Sequence, residues 1–277
     1  MKQQISAAVC VNIGLKRENN EDNFYFNGIF LSEKTRDKPA EFVTFCPDKR
    51  QFYAVCDGMG GEQLGELASF IAAETLHGCA EILRQNKKKN LDKGIEDYIT
   101  QANGFIFEAQ KTNGASRIGT TLAMLALENK TAHIYNVGDS RVYRFRKNKL
   151  EQLSSDHTAV ANMVKVGAIT PEQAKTHPRR NSLTQYMGIN PDEMIIQAYK
   201  TSVKIKEKDV FLLCSDGLTD MLEDEEIENI LSETVGVSPD ESACRLVKKA
   251  LENGGKDNTT VIILTYNRKL WKTLKSL

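Results

Sequence analysis

Several short stretches bring a carboxylate to the end of an apolar run. FYAVCDGMGGE (52–62) closes such a run on Asp57 and follows it with glycines at 58, 60 and 61. FLLCSDG does the same with Asp216 and YNVGD with Asp139, while GGKDNTT sets Asp257 directly before an apolar run. RENNED offers Glu21 and Asp22. A single Asp-Gly pair is explained by a turn. Several acids at the ends of core strands are a different matter. Gathered on one rim, they repel one another, lose solvation and need a compensating cation. Oxygen-only ligands suit Mg2+ or Mn2+ better than zinc, and no His/Cys cluster argues otherwise. Gly58 then has a reason to be small, since bare backbone lets its carbonyl approach an ion.

Strands and helices must hold these acids. SAAVCVNIG and FYAVCD come early, TTLAMLALE, TAHIYNVGD and RVYRFR crowd between 120 and 146, and VFLLCSDG and TTVIILTY come late. The breaks among the middle three are only a few residues, which suits antiparallel hairpins rather than β-α-β crossovers. Leu67, Ala68, Ile71, Ala72, Leu76, Cys79, Ile82 and Leu83 recur at helical spacing from a start near Gly65. Ile95, Tyr98, Ile99, Ala102, Phe105, Ile106 and Ala109 mark a second helix. Each is apolar along one stripe and should cover a sheet face. SPDESACRLVKKALENGG announces a late helix, with Ser238 as cap, Pro239 in its first turn and Gly254 at its end. This pattern predicts an α+β fold of two packed antiparallel sheets with helices outside. Residues 27–50 form a longer hairpin or loop, and 156–182 weaken into short helical turns of the kind found in functional flaps.

Composition narrows the function. The 277 residues are 40% hydrophobic, enough for a sizeable core. Lys plus Arg (37) balances Asp plus Glu (37), which gives no support to a nucleic-acid partner. The basic run 87–89 reads as a solvated helix end. No apolar stretch approaches the roughly 18 residues of a membrane span, and the first ten residues carry no signal-peptide core. Six scattered cysteines read as reduced thiols of a cytoplasmic protein, with zinc binding and a catalytic thiol as the alternatives. The basic tail NRKLWKTLKSL reads as a packed terminal helix or a weak partner or membrane contact.

Taken in order, RENNED, DGMGG, GELAS, GTT, NVGDSR, SSDHT, NSLTQYMG, CSDGLTDML and DNTTVIIL span nearly the whole chain. In this series the chain resembles the metal-dependent Ser/Thr phosphatases of the protein phosphatase 2C (PPM) family, above all its compact bacterial members. The resemblance implies a single catalytic domain over 1–277, an αββα four-layer sandwich, and a two-metal centre in a cleft at one end. By position, Asp57 bridges both ions, and Asp216 and Asp257 complete the first site. The Gly58 carbonyl and Glu21 serve the second, with Glu21 or Asp22 acting directly or through water. Asp139, with Asp216 and Asp220, matches a third and weaker metal site. Arg17 matches the family's phosphate-binding arginine, although outside its motif it would read as a surface residue. The implied reaction uses two Mn2+ or Mg2+ ions about 4 Å apart, which hold a bridging water and lower its pKa for in-line attack. Arg17 would grip the phosphate as a two-pronged fork, which lysine cannot do.

The implied partners are phosphoproteins, the substrates of a Ser/Thr kinase of the penicillin-binding-domain type, and the enzyme is expected to be a cytoplasmic monomer. The flap, 158–180, offers Val160, Met163, Val164 and Ile169, together with Arg179 and Arg180 for a phosphoprotein or for solvent. Two rival readings stand beside this one. They are a catalytically weakened phosphoprotein binder and a two-metal hydrolase of small phosphoesters.

One position departs from the family. A histidine usually follows DGMGG, and here the residue is Glu62. The histidines lie at 77, 133, 157 and 177, and His157, in DHT, reads as structural. A free Glu titrates near 4.3 and a free His near 6.5, so an unperturbed Glu62 has no proton to give at neutral pH. Neighbouring acids that raised its pKa would make it the catalytic acid. Otherwise a metal-held water protonates the leaving group, or Glu62 orients a ligand. If Glu62 is the acid, Glu62→Gln slows phosphopeptide hydrolysis more than that of p-nitrophenyl phosphate, whose leaving group needs no proton.

Overall fold

The fold was obtained as a computed structural model, which describes residues 3–32, 40–46, 50–60, 64–86, 89–234 and 238–268. Glu62, residues 87–88, the tail from 269 and the side chain of Cys46 lie outside the described residues.

In chain order the strands are β1 (Gln3–Asn12), β2 (Asp22–Phe26), β3 (Ala40–Cys46) and β4 (Arg50–Gly60). Helices α1 (Gly65–Gln85) and α2 (Leu91–Thr112) follow. Then come β5 (Ile118–Thr120), β6 (Leu122–Glu128), β7 (Thr131–Val137), β8 (Arg141–Arg146) and β9 (Lys149–Gln152). The flap contains α3 (Ala159–Lys165) and α4 (Pro171–Thr176). β10 (Tyr199–Lys204), β11 (Val210–Cys214), α5 (Asp216–Thr219), α6 (Asp224–Thr234), α7 (Pro239–Glu252) and β12 (Thr259–Arg268) complete the fold.

The strands form two antiparallel sheets. One runs β3-β1-β12-β11-β8-β9, and the other β10-β7-β6-β4-β2 with β5 against the end of β4. β4 shows why its sequence reads as an unbroken apolar run. Strand side chains alternate between faces, and both faces of β4 are covered. Phe52, Ala54 and Cys56 pack under α1 and α2, while Tyr53 and Val55 meet the other sheet. The layer between the sheets also holds Phe24, Leu213, Ile262 and Leu264. Beyond the first sheet, Leu212, Val261 and Ile263 meet Ile227 and Leu231 of α6 and Leu246 of α7. The order helix, sheet, sheet, helix is the expected αββα sandwich.

Four expectations change. β6 and β7 form a hairpin, but β8 pairs with β11 in the other sheet, so the chain changes layers after Val137. Gly138, at φ +96, makes that change possible. The segment 27–50 also changes layers, because β3 is the edge strand beside β1 in the first sheet. Ser238 occupies the N-cap of α7 without a side-chain cap bond, although Pro239 does start the helix. Ile82 and Phe105, counted on the apolar stripes, are exposed on the outer side of the α1/α2 pair.

Candidate metal centre

Strand register brings the acids together. Asp22, the first residue of β2, stands directly opposite Asp57 of β4. Residues so paired share a face with Cβ atoms about 5 Å apart, and like charges there repel. The other sheet presents its acids at the same end. β11 runs into Ser215 and Asp216, β12 starts two residues after Asp257, and Cys214 pairs with Val261. Asp139 lies in the layer-changing turn between β7 and β8.

The crowding shows in the acids' protonation. Burial pushes Asp57 well above the usual carboxylate range, and the charges of Asp216, Asp22, Asp139 and Asp257 push it further. Asp139 is raised in the same way by burial, Asp216 and Asp156. Asp216 is raised to about 6, by burial first and then by Asp257 and Asp220. Asp22 is raised to about 7 by burial, although the Ser215 and Thr260 hydroxyls each donate to its Oδ2 at 2.7 Å. Burial also raises Glu21, against the opposing charge of Arg17. Asp220 is exposed one turn beyond Asp216, where its N–H donates to the Asp216 carbonyl.

Neutral groups fix the acids in place. Asn258 accepts from the Glu21 N–H at 2.7 Å and donates to the carbonyls of Ile13 and Asn19, tying the first motif to the start of β12. Thr121 accepts from the Asp57 N–H at 3.0 Å, and its hydroxyl lies 2.6 Å from that of Ser140. Arg141 forks onto Asp156. The His157 backbone N–H donates to the Gly138 carbonyl, and its Nδ1 accepts from the Gly138 N–H, so His157 braces the turn that carries Asp139. Burial lowers its pKa.

The donor set suits a hard divalent cation. The thiols nearest the rim, Cys56 and Cys214, belong to the apolar layers under the helices. Burial raises both, Cys214 to about 12, so they stay protonated. That leaves oxygen donors. Among the described residues no three acidic, His or Cys side chains yet converge as a closed ligand shell. Two bonds engage acids of the set. Arg17 donates to Asp257 Oδ2 at 2.6 Å, and Asp22 is turned onto its hydroxyls. The charge and the donor type fit such an ion.

Gly58 is small for a reason the sequence did not reveal. A Cβ there would lie 2.1 Å from the Gly65 carbonyl and 2.5 Å from that of Glu21. The start of α1 and the first motif both press on it.

The sequence pattern of protein phosphatase 2C matches residues 40–253. The chain belongs to the protein phosphatase 2C family. The serine/threonine phosphatase stp of Listeria welshimeri is 32% identical over 92% of this chain and 93% of its own. The protein phosphatase PhpP of Streptococcus pneumoniae is 32% identical over 95% of this chain and 98% of its own. The crystal structure of the Mycobacterium tuberculosis serine/threonine phosphatase PstP/Ppp matches with a TM-score of 0.78 and 28% identity, covering 96% of this chain and all of that one. A structure of the PstP catalytic domain in complex with two manganese ions matches with a TM-score of 0.76 and 27% identity, over 96% of this chain and all of that one.

Within this protein phosphatase 2C rim, motif reading found the acids and missed the neutral groups that hold them. Ser215, Thr260, Asn258, Thr121 and Ser140 are all buried. Their signal was available: small hydroxyl and amide residues directly beside the acids at the ends of apolar strands.

Proposed function

We infer that this chain removes phosphate from phosphoserine and phosphothreonine in proteins at the rim where its two sheets end. It is a metal-dependent protein-serine/threonine phosphatase that uses Mn2+ or Mg2+. The observation that carries the assignment of the site is the set of buried carboxylates from both sheets, raised by burial and by neighbouring acids, with Arg17 at the exposed edge.

Asp57, central to the set, would be shared between two ions. Asp216 and Asp257 would serve one of them, and Glu21 with the Gly58 carbonyl the other. Asp139, Asp216 and Asp220 would form a weaker third position, and Asp22 an acceptor held by Ser215 and Thr260. When bound, such ions neutralise the carboxylates, polarise the phosphate and lower the pKa of a coordinated water toward neutrality. The chain's own part is orientation. Arg17 is about half exposed and bound to Asp257 by a single contact, so it can turn to a phosphate and grip two of its oxygens. Glu62 is proposed to assist the leaving group or to orient a ligand, on its sequence position alone.

Residues 1–277 are proposed to form one catalytic domain, since strands from both ends of the chain share the layer between the sheets. Phosphoproteins made by a Ser/Thr kinase are the proposed substrates. A monomer in the cytoplasm is proposed, in keeping with free cysteines at 10, 56, 79, 214 and 244. Among the described residues no helix is long and apolar enough to cross a membrane. The test is phosphopeptide turnover with Mn2+ and with excess EDTA, beside a phosphotyrosine peptide and a nucleotide. Turnover should favour the phosphoserine and phosphothreonine peptides and vanish in EDTA. Undiminished turnover in EDTA would overturn the assignment.

A further inference from the structure

β5 lies against the end of β4, with Thr120 opposite Gly58 and Ile118 opposite Gly60. Arg117 precedes it. Residues 117 and 119 are two apart on extended chain and face the same side. Gly119 leaves a seat there for Tyr186, because a Cβ would lie 2.4 Å from the ring's Cδ2. The Arg117 guanidinium lies 4.4 Å from the centre of that ring.

The platform is held firmly. Thr120 and Met187 exchange both backbone hydrogen bonds at 2.9 Å. Gly188 N–H donates to Asn103 Oδ1 at 2.7 Å. Thr184 N–H donates to the carbonyl of His157, at the base of the flap. The segment carrying Tyr186 therefore runs from the flap base to the strand beside Gly58.

Arg50, Arg84, Arg141, Arg144 and Arg146 each pair with a carboxylate. Arg117 is exposed and, among the described residues, has no carboxylate partner. Stacking limits the rotamer freedom it would otherwise lose on binding an anion. A planar fork of donors, fixed and unpaired beside a phosphate-cleaving rim, suits a second anion on the same substrate.

We propose that Arg117, held on Tyr186, reads an anionic side chain of the substrate two to four residues from the phosphorylated serine or threonine. This rests on the phosphatase reading above. The spacing follows from strand geometry. Arg117 is three residues from Thr120, and an extended strand rises about 3.3 Å per residue, so an extended substrate covers the gap in about three residues. A carboxylate and a second phosphate present the same chemistry to the fork.

The test uses the whole chain with Mn2+ and matched phosphopeptides. Each carries Glu, a second phosphoserine, Ala or Lys at two, three or four residues on either side of the target. The wild type should favour an anionic flank by about two- to fivefold in kcat/KM, the worth of one exposed ion pair, with the change carried by KM. Arg117→Glu should turn the preference toward Lys, and Arg117→Lys should weaken it without inverting it. A gain with Glu supports carboxylate recognition, and a gain only with the second phosphate supports phosphate recognition; either upholds the proposal. A wild type that ignores the flank, or an unchanged preference in Arg117→Glu, overturns it. Should Arg117→Glu fail to fold, as judged by circular dichroism, Arg117→Gln decides, with loss of preference expected and retention overturning. Failure of the wild type to cleave any peptide would instead strike the phosphatase reading.

Discussion

The two ends of the sandwich treat buried charge in opposite ways. At the end away from the acids, Asp209 is fully buried, and Arg146 forks onto it at 2.6 Å through two nitrogens. The Lys206 N–H adds a third bond at 2.6 Å. Arg50, 6% exposed, pairs with Glu128 and donates to the carbonyls of Leu83, in the last turn of α1, and of Lys89, just beyond it. There a cation also meets the negative end of a helix. At the metal rim, burial and neighbouring carboxylates raise Asp57, Asp139 and Asp216, and Arg17 pairs only with Asp257 at the exposed edge. This fold can pair a buried charge within itself. Where it leaves like charges together, the balancing charge must come from outside.

The contrast can be broken most sharply at its centre. Asp57→Asn should lower phosphopeptide turnover on the order of a thousandfold, the loss of several kcal/mol of metal-borne stabilisation. The same change should leave the metal-free protein more stable by about 1 kcal/mol, because one repelling carboxylate is gone. Urea unfolding in EDTA measures this, and a destabilised variant would contradict the contrast. Asp209→Asn should do the reverse. It should cost about 3 kcal/mol by leaving Arg146 without its charge partner, with turnover per folded molecule kept. An unchanged urea midpoint would remove the distinction between the two ends.

The smallest effect is in pH. Asp216 and Asp22 are raised from 3.8 to about 6 and about 7. In the metal-free protein the folded state then holds protons that the unfolded chain releases. That contribution is full below 3.8 and is lost as pH rises through about 6 and about 7. Melting temperature in EDTA should therefore fall as pH rises from about 3.8 to about 7, whereas saturating Mn2+, which binds deprotonated ligands, should flatten or reverse the slope. The same slope with and without the metal would show that these acids are not its ligands.

Much of this was legible because it is local. Helix stripes fixed α1 and α2, and the acids announced themselves beside glycine, serine or asparagine at strand ends. What stayed hidden depends on partners far along the chain. Asp22 meets Ser215 and Thr260 only because two sheets face each other, 193 and 238 residues apart in sequence. The layer change after Val137 looks like a hairpin, since a short break does not say which sheet receives the next strand. Gly58 reads as room for an ion until the approach of Gly65 and Glu21 is seen.

The acids come from both sheets, so their spacing is a property of how one sheet seats upon the other. Tyr53, Val55, Leu213 and Ile262 fill that seam. On the proposed assignment, the gauge that would measure an ion's radius is the thickness of a greasy layer, and a methyl group shaved from it would be felt as a change of taste for metals.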